Sequence, residues 1–400
     1  MKSSMRVVYF GHDRTDSKVI SRIEGLRKLG FHVLGLTYHR IKFNRGHEPT
    51  WENVDLGTTA DYAYLRRIQS LVMGALRLIR HRKRFTEADL VFARNIDMAL
   101  LALFARLISG SQAPIAYEVL DVHRLFLGKR RRNRVMRAIE RWMLNRVEAL
   151  IVSSEGYIRN YFEPTQNYRG HWFLLENKVP SGSISPVRTP PRHRPKELGR
   201  PWVIGWCGTM RCLKSLELLT EIARRHRDTV QVYMRGYPTE ISQNAFMARI
   251  ENEPNMIYGG GYKGPDDLAD VYAEVDLNWT IDLSDASYKS DNSFWLLPNR
   301  LYEGGCCHVP AIAMVGTETA RKVEALDIGW LVEEPLVESV SKLLSALTKE
   351  NVHVKQKRLK SLPPSILWER DDLSQICHQL LALGSLNRDE LAPTLDNPAS

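Results

Sequence analysis

Short apolar runs alternate with longer segments whose apolar residues recur at three- and four-residue spacing along most of the chain. Residues 6–10 read as a buried strand, and 17–29 as an amphipathic helix that stops at Gly30. Further strands are expected at 32–36, 89–93, 114–119 and 149–153, with helices at 62–82, 98–108 and 130–146. Strands separated by helices of this length predict right-handed βαβ units and a parallel sheet.

The pattern breaks between 185 and 201, where Pro186, Pro190, Pro191, Pro195 and Pro201 are mixed with basic residues. Such a stretch reads as a linker. Beyond it the alternation restarts, with strands at 202–207, 229–234, 256–258, 275–279 and 311–315 and helices at 214–225 and 339–347. An amphipathic segment at 373–383 follows Trp368-Glu369-Arg370. A chain of 400 residues is long for one core and suits two domains. The expected fold is α/β, with two Rossmann-like doubly wound domains facing a cleft. The N-terminal domain takes 1–185, the linker 186–200 and the C-terminal domain 201–365. A C-terminal helix at 366–385 returns to the N-domain, and 386–400 form a frayed tail.

Composition narrows the setting. Five cysteines without a paired C-x-x-C spacing point away from zinc and toward a reducing cytoplasm. No signal peptide is read at the N-terminus, and the longest apolar runs, 71–79 and 98–108, each contain an arginine and are too short for a bilayer. A net charge of +10 calls for phosphate-bearing partners. Nucleic acid is not expected among them, because no aromatic–basic interleaving or recognition motif is present.

Chemistry is written most densely in the second half. In Gly205-Trp206-Cys207-Gly208-Thr209-Met210-Arg211-Cys212-Leu213-Lys214 a glycine ends a strand just before a helix. That arrangement lets backbone N–H groups and a helix N-terminus approach an anion, with Arg211 and Lys214 as mobile cations. In Leu297-Pro298-Asn299-Arg300-Leu301-Tyr302-Glu303-Gly304-Gly305-Cys306-Cys307-His308-Val309-Pro310 a carboxylate on a short helix is followed by small residues that would leave room for a ligand. A glutamate there suits a vicinal diol such as ribose O2 and O3.

This segment resembles the Glu-Ala-Met-Ala-x-Gly-x-Pro-Val-Ile signature of the GT-B glycosyltransferases, in particular retaining family 4, with Glu303 and Pro310 on its glutamate and proline. Gly208 and Lys214 match the family's glycine turn and phosphate-binding lysine. Val232-Tyr233-Met234-Arg235-Gly236 is similar to the next strand and its glycine, and Gly259-Gly260-Gly261-Tyr262 to the loop that holds the nucleotide base. Gly329-Trp330-Leu331-Val332 is similar to a later Gly-Leu-Leu-Val. In the N-domain, Gly11 sits where the first strand turns toward the acceptor. Tyr117-Glu118-Val119-Leu120-Asp121-Val122-His123 is similar to the segment whose Asp and His point toward the transferred sugar. Two positions depart from the pattern. Trp295 stands where the family has a second glutamate, leaving Asp291, Asn292 or Ser293 to contact the sugar hydroxyls. Thr209 replaces an arginine, for which Arg211 is the substitute.

The resemblance implies an acceptor-binding N-domain and a C-domain that binds the nucleotide sugar through Gly208, Gly236, Gly261, Tyr262, Asn299, Leu301 and Glu303. It assigns Arg211 and Lys214 to the diphosphate, Asp121 and His123 to the acceptor or reacting sugar, and Gly11 to the acceptor side. Transfer would retain configuration and need no cofactor and no metal, in keeping with the lack of a placed Asp-x-Asp motif. Residues 299–305 also resemble transferases of bacterial exopolysaccharide assembly, including the succinoglycan type. They imply a UDP-sugar donor, with glucose as the candidate, and a polyprenyl-diphosphate oligosaccharide acceptor.

Residues 129–146 hold eight Lys or Arg and one acid, Glu140. At 100° per residue Arg130, Arg134, Arg137 and Arg141 form a stripe, with Val135, Ile139, Trp142 and Met143 expected against the sheet. A basic face of this kind fits peripheral attachment to the anionic inner leaflet of the cell membrane. A UDP-sugar epimerase of GT-B architecture and a non-catalytic sugar-nucleotide scaffold are the alternative readings. A nicotinamide oxidoreductase is disfavoured, since no G-x-G-x-x-G follows the first strand of either domain.

Overall fold

The computed structural model describes residues 5–40, 48–59, 64–184, 200–239, 241–283 and 292–391. Apart from Arg200, the linker expected at 186–200 lies outside the described residues, as do Asp291 and the tail beyond Leu391. The chain divides into two compact units. One comprises Met1–Ser153, Tyr161–Leu175 and Asp371–Ser400, and the other Ser154–Asn160 and Glu176–Arg370.

The first unit is built on seven strands: β1 (Arg6–Gly11), β2 (His32–His39), β3 (Glu52–Thr58), β4 (Leu90–Arg94), β5 (Ile115–Val119), β6 (Ala149–Val152) and β7 (His171–Leu174). All pair in parallel in the order β3-β2-β1-β4-β5-β6-β7. The order reverses direction beside β1, which makes the sheet doubly wound. Every residue of β4, β5 and β6 is buried, and apart from Arg94 and Glu118 these strands are apolar, which makes them legible. The apolar pattern does not reveal β3 or β7. Both are edge strands, and β3 alternates polar and apolar residues because only one of its faces is covered.

Helices α1 (Ser17–Lys28), α2 (Tyr64–His81), α3 (Ile96–Ser109), α4 (Arg124–Leu127) and α5 (Arg131–Leu144) cover this sheet. α5 is turned differently from the expected stripe. Val135, Ile139 and Trp142 are exposed, whereas Met143 is buried. Arg137 is drawn toward the protein and donates to the carbonyls of Phe126 and Gly128 at 2.6 and 2.8 Å; Arg141 bonds those of Gln166 and Thr165. The helix is anchored by polar groups. Its buried Glu140 accepts from the Tyr117 hydroxyl at 3.3 Å and also from Tyr161 and Gln166.

Burial raises the Glu140 carboxyl from 4.5 to about 7. Below about pH 4.5 it is protonated whether the chain is folded or not, and stability is full. Between there and pH 7 only the folded chain keeps the proton, so stability falls as pH rises, by about 3 kcal/mol in total. Glu140→Gln should remove that loss, so urea unfolding at pH 5 and pH 8 should differ less for the variant than for the parent.

The second unit holds a six-stranded parallel sheet of β9 (Trp202–Met210), β10 (Val230–Pro238), β11 (Met256–Tyr258), β12 (Leu277–Trp279), β13 (Ala311–Met314) and β14 (Gly329–Val332). Its order is β11-β10-β9-β12-β13-β14, again reversing beside its first strand. A small parallel pair joins β8 (Val179–Pro180) to β15 (Trp368–Glu369). The helices of this unit are α6 (Glu155–Tyr157), α7 (Leu213–Arg225), α8 (Gln243–Ile250), α9 (Leu268–Tyr272), α10 (Asn292–Trp295), α11 (Asn299–Cys306), α12 (Glu318–Leu326), α13 (Leu336–Ala346) and α14 (Lys349–Ser361). The last helix, α15 (Asp372–Leu391), packs Leu373, Ile376, Cys377 and Leu380 into the core of the first unit beside Val7 and Leu90. Among the described residues no helix is long and apolar enough to cross a membrane.

Candidate active site

β9 and β10 run side by side past the end of the core, so Gly208 and Gly236 face each other in register. Both have positive φ, 99° and 126°, which glycine adopts readily. A Cβ on Gly236 would stand 1.8 Å from the Gly208 carbonyl oxygen, so no side chain fits at Gly236, whereas one on Gly208 would meet only the Tyr262 hydroxyl at 3.8 Å. Gly208 does not end the strand as expected, since β9 continues to Met210. The Gly236 N–H donates to Gly260 at 2.9 Å, tying the β11–α9 loop to the same place. Arg235 braces that loop by donating to the carbonyls of Gly260 and Gly261 at 3.1 and 3.0 Å. Gly261 itself is packed against Tyr237, whose ring would lie 2.3 Å from an added Cβ.

Tyr262 closes the constellation. Its hydroxyl lies 3.4 Å from Glu303 Oε2 and 3.8 Å from where a Cβ on Gly208 would be. Burial and the Glu303 charge push the phenol upward, so it stays protonated and donates to the carboxylate. Burial, with Glu303 as the next cause, also pushes the Cys207 thiol up to about 12. The Tyr262 hydroxyl thus lies near both Gly208 and the α11 carboxylate.

The cations divide into two places. Arg211 is exposed, and its Nε donates to Asp282 at 3.4 Å. Arg300, 7% exposed, comes from the first turn of α11 and donates to the Thr209 carbonyl at 3.2 Å, with Asp282 at 3.9 Å. Its Nη1 is buried without a hydrogen-bond partner. Sequence reasoning passed over Arg300, although it lies three residues before Glu303 and therefore on the same side of α11. Lys214 stands in the first turn of α7, behind the N-cap Cys212, whose sulfur accepts from the Ser215 N–H at 3.1 Å. Its side chain lines a groove of about 680 Å³ with Leu283, Pro335 and the carboxylates Glu217, Glu221 and Glu334.

α11 also corrects two expectations. The glycines after Glu303 do not leave room for a ligand: a Cβ on Gly304 would meet Asn278 Nδ2 at 2.3 Å, and one on Gly305 would meet Leu367 at 2.9 Å. They are small so that the helix can lie on β12, where Asn278 donates to the Arg300 carbonyl at 2.7 Å. Leu301 is 2% exposed and its side chain belongs to the core, so a ligand could meet this residue only through its backbone. Asn299 is exposed at the first position of the helix. Trp295 is buried, and its carbonyl accepts from Ser154 Oγ, a packing role. The neighbouring Ser293 Oγ is buried and unpartnered.

In the first unit, Gly11 ends β1 against Val19, 3.0 Å from an added Cβ. Asp121 is exposed after β5. His123 caps α4: its Nδ1 accepts the Leu125 N–H at 3.1 Å, which leaves a proton on Nε2 in the neutral ring. Partial desolvation and the Arg67 charge lower its pKa. Arg67 is paired with Asp97 and also bears on His12, which burial lowers to about 4. Among the described residues no three His, Cys, Asp or Glu side chains gather as a metal site.

Two Rossmann-like units with doubly wound parallel sheets define the GT-B architecture. Solved structures show the same fold. Sucrose-phosphate synthase from Thermosynechococcus elongatus superposes with a TM-score of 0.67 at 15% identity, covering 97% of this chain and 99% of that one. Anabaena Alr3699/HepE, in complex with UDP and glucose, has a TM-score of 0.62 at 12% identity, with 97% and 99% covered. No family model matches. The succinoglycan biosynthesis protein ExoL of Rhizobium meliloti (strain 1021) is 36% identical over 394 residues, 95% of this chain and 94% of that protein. The chain belongs to the ExoL family of exopolysaccharide-biosynthesis glycosyltransferases.

Proposed function

We propose that the enzyme moves a hexose, with glucose as the candidate, from a UDP-sugar to a polyprenyl-diphosphate oligosaccharide at the cytoplasmic face of the cell membrane. The observation that carries the donor half is Tyr262, whose hydroxyl lies 3.4 Å from Glu303 and 3.8 Å from where a Cβ on Gly208 would be. One nucleoside diphosphate can then place its ribose on Glu303 and its pyrophosphate at Gly208–Thr209. Arg300 and Arg211 stabilise the leaving charge, and Lys214 adds a third cation from the α7 N-terminus. These cations do what a divalent ion does elsewhere, so transfer is expected to survive EDTA. The breaking bond is the one between the anomeric carbon and the diphosphate oxygen. The acceptor hydroxyl attacks that carbon and gives its proton to the departing diphosphate, with configuration retained. Asp121 and His123 are assigned to holding the acceptor or the transferred sugar. A related fold that crystallised with UDP and glucose supports this donor class.

A thermal-shift screen against UDP-, GDP-, dTDP- and ADP-sugars, each with and without EDTA, tests the reading. At 100 times its dissociation constant the preferred donor adds about 2.7 kcal/mol, a rise of roughly 5–10 °C for a unit of this size. UDP-sugars should give that rise in EDTA. If no sugar nucleotide raises the melting temperature, the donor site is misassigned.

A further inference from the structure

Three helices of the first unit turn apolar side chains outward. On α2, Ile68, Val72, Leu76 and Ile79 recur at four, four and three residues and are 40–59% exposed. On α5, Val135, Ile139 and Trp142 do the same at four and three. α3 packs against both α2 and α5, and its Leu107 is 80% exposed. A helix covering a sheet has one apolar stripe for the core, and these helices have that stripe as well: Leu78 of α2 and Met143 of α5 are fully buried. The second, outward stripe has no partner in the unit.

Its surroundings select the occupant. Exposed Arg80, Arg82, Lys83 and Arg84 end the α2 segment, and exposed Arg131, Arg132, Arg134 and Arg146 flank the α5 ridge. The described side chains of the three helices include two carboxylates. Asp97 is paired with Arg67, and Glu140 is buried. The acids nearby are already paired, Glu52 with Arg84, Glu148 with Arg106 and Glu87 with Arg6, so a second copy docking on this face would set arginine against arginine. An apolar ridge containing a tryptophan and bordered mainly by cations matches an anionic lipid interface, where the ridge enters the acyl boundary and the cations meet headgroups. We propose that the outward face of α2, α3 and α5 is a membrane-docking surface that inserts Ile68, Val72, Leu76, Leu107, Val135 and Trp142 at the interface of an anionic leaflet. This deepens the reading of a lipid-linked acceptor and takes its purpose from it, although the surface stands on its own observations. It also moves the attachment from the arginine stripe expected on α5, two of whose members bond internal carbonyls, to the apolar ridge beside it.

The test is flotation of the full chain with phosphatidylcholine vesicles containing 30% phosphatidylglycerol, against phosphatidylcholine alone, in 0.1 and 0.5 M salt. The parent should float with the anionic vesicles at both salts, more weakly at the higher. Val72→Glu/Leu76→Glu should bind at least tenfold more weakly even at 0.1 M, and Arg131→Glu/Arg134→Glu should lose the salt-sensitive part. Both variants should keep the parent melting temperature and the same stabilisation by a UDP-sugar, which separates this surface from the donor site. Undiminished flotation of Val72→Glu/Leu76→Glu would overturn the proposal, as would a parent that ignores anionic vesicles or sediments as a dimer through this face.

Discussion

Glu303→Gln should weaken binding of the donor nucleotide about 100-fold while the melting temperature of the unliganded chain stays within 2 °C. The carboxylate is half-buried on α11 and accepts from the Tyr262 hydroxyl at 3.4 Å, beside the position proposed for the ribose. Hydrogen bonds to a charged acceptor contribute about 1.5–3 kcal/mol each, and a ribose diol offers two. The amide keeps the shape and one acceptor but loses the charge and turns half of the group into a donor. Roughly 2.5–3 kcal/mol should be lost, which is about two orders of magnitude. Calorimetry with UDP and with uracil checks the assignment. UDP should lose the affinity, and uracil, which has no ribose, should be unaffected. Loss of less than threefold for UDP would remove Glu303 from the donor site.

Gly236→Ala should do more damage than any other single methyl group in the second unit. Its Cβ would fall 1.8 Å from the Gly208 carbonyl oxygen, and its φ of 126° is foreign to alanine. Neither strand can step aside, because β9 and β10 pair along their whole length and the Gly236 N–H is bound to Gly260. We expect a loss of ~3 kcal/mol or more, together with loss of donor-induced stabilisation, since the phosphate turn itself must move. Gly316→Ala is the control: its φ of 83° is also positive, but nothing lies within 4 Å of the added methyl. It should show only the backbone cost of about 1–2 kcal/mol. Equal destabilisation of the two variants would mean that the contact between Gly236 and Gly208 does not govern the turn.

What the sequence revealed follows from burial. Strands covered on both faces, such as β4 and β5, are apolar except for Arg94 and Glu118 and are legible without context. The edge strands β3 and β7 are half covered, so their composition does not separate them from loops. α5 misled for a related reason. It carries two apolar stripes, and the arginines that periodicity placed on a solvated face include Arg137 and Arg141, which satisfy carbonyls of neighbouring loops. No local pattern tells which stripe meets the sheet. Within the site, Glu303 and the glycine turns stood out because their chemistry is tied to spacing. Arg300 did not, because an arginine in a helix is ordinarily a surface residue and only the fold shows its guanidinium beside Thr209. Gly304 and Gly305 were legible as small but not as filled, since Asn278 and Leu367 arrive from distant parts of the chain.

The most direct measurement is a crystal structure of the chain with UDP. The pyrophosphate should lie within hydrogen-bond reach of Arg300 and the backbone at Gly208–Thr209, with both ribose hydroxyls on the Glu303 carboxylate. UDP seated instead in the groove beside Lys214 and Glu334, with Glu303 untouched, would contradict that placement.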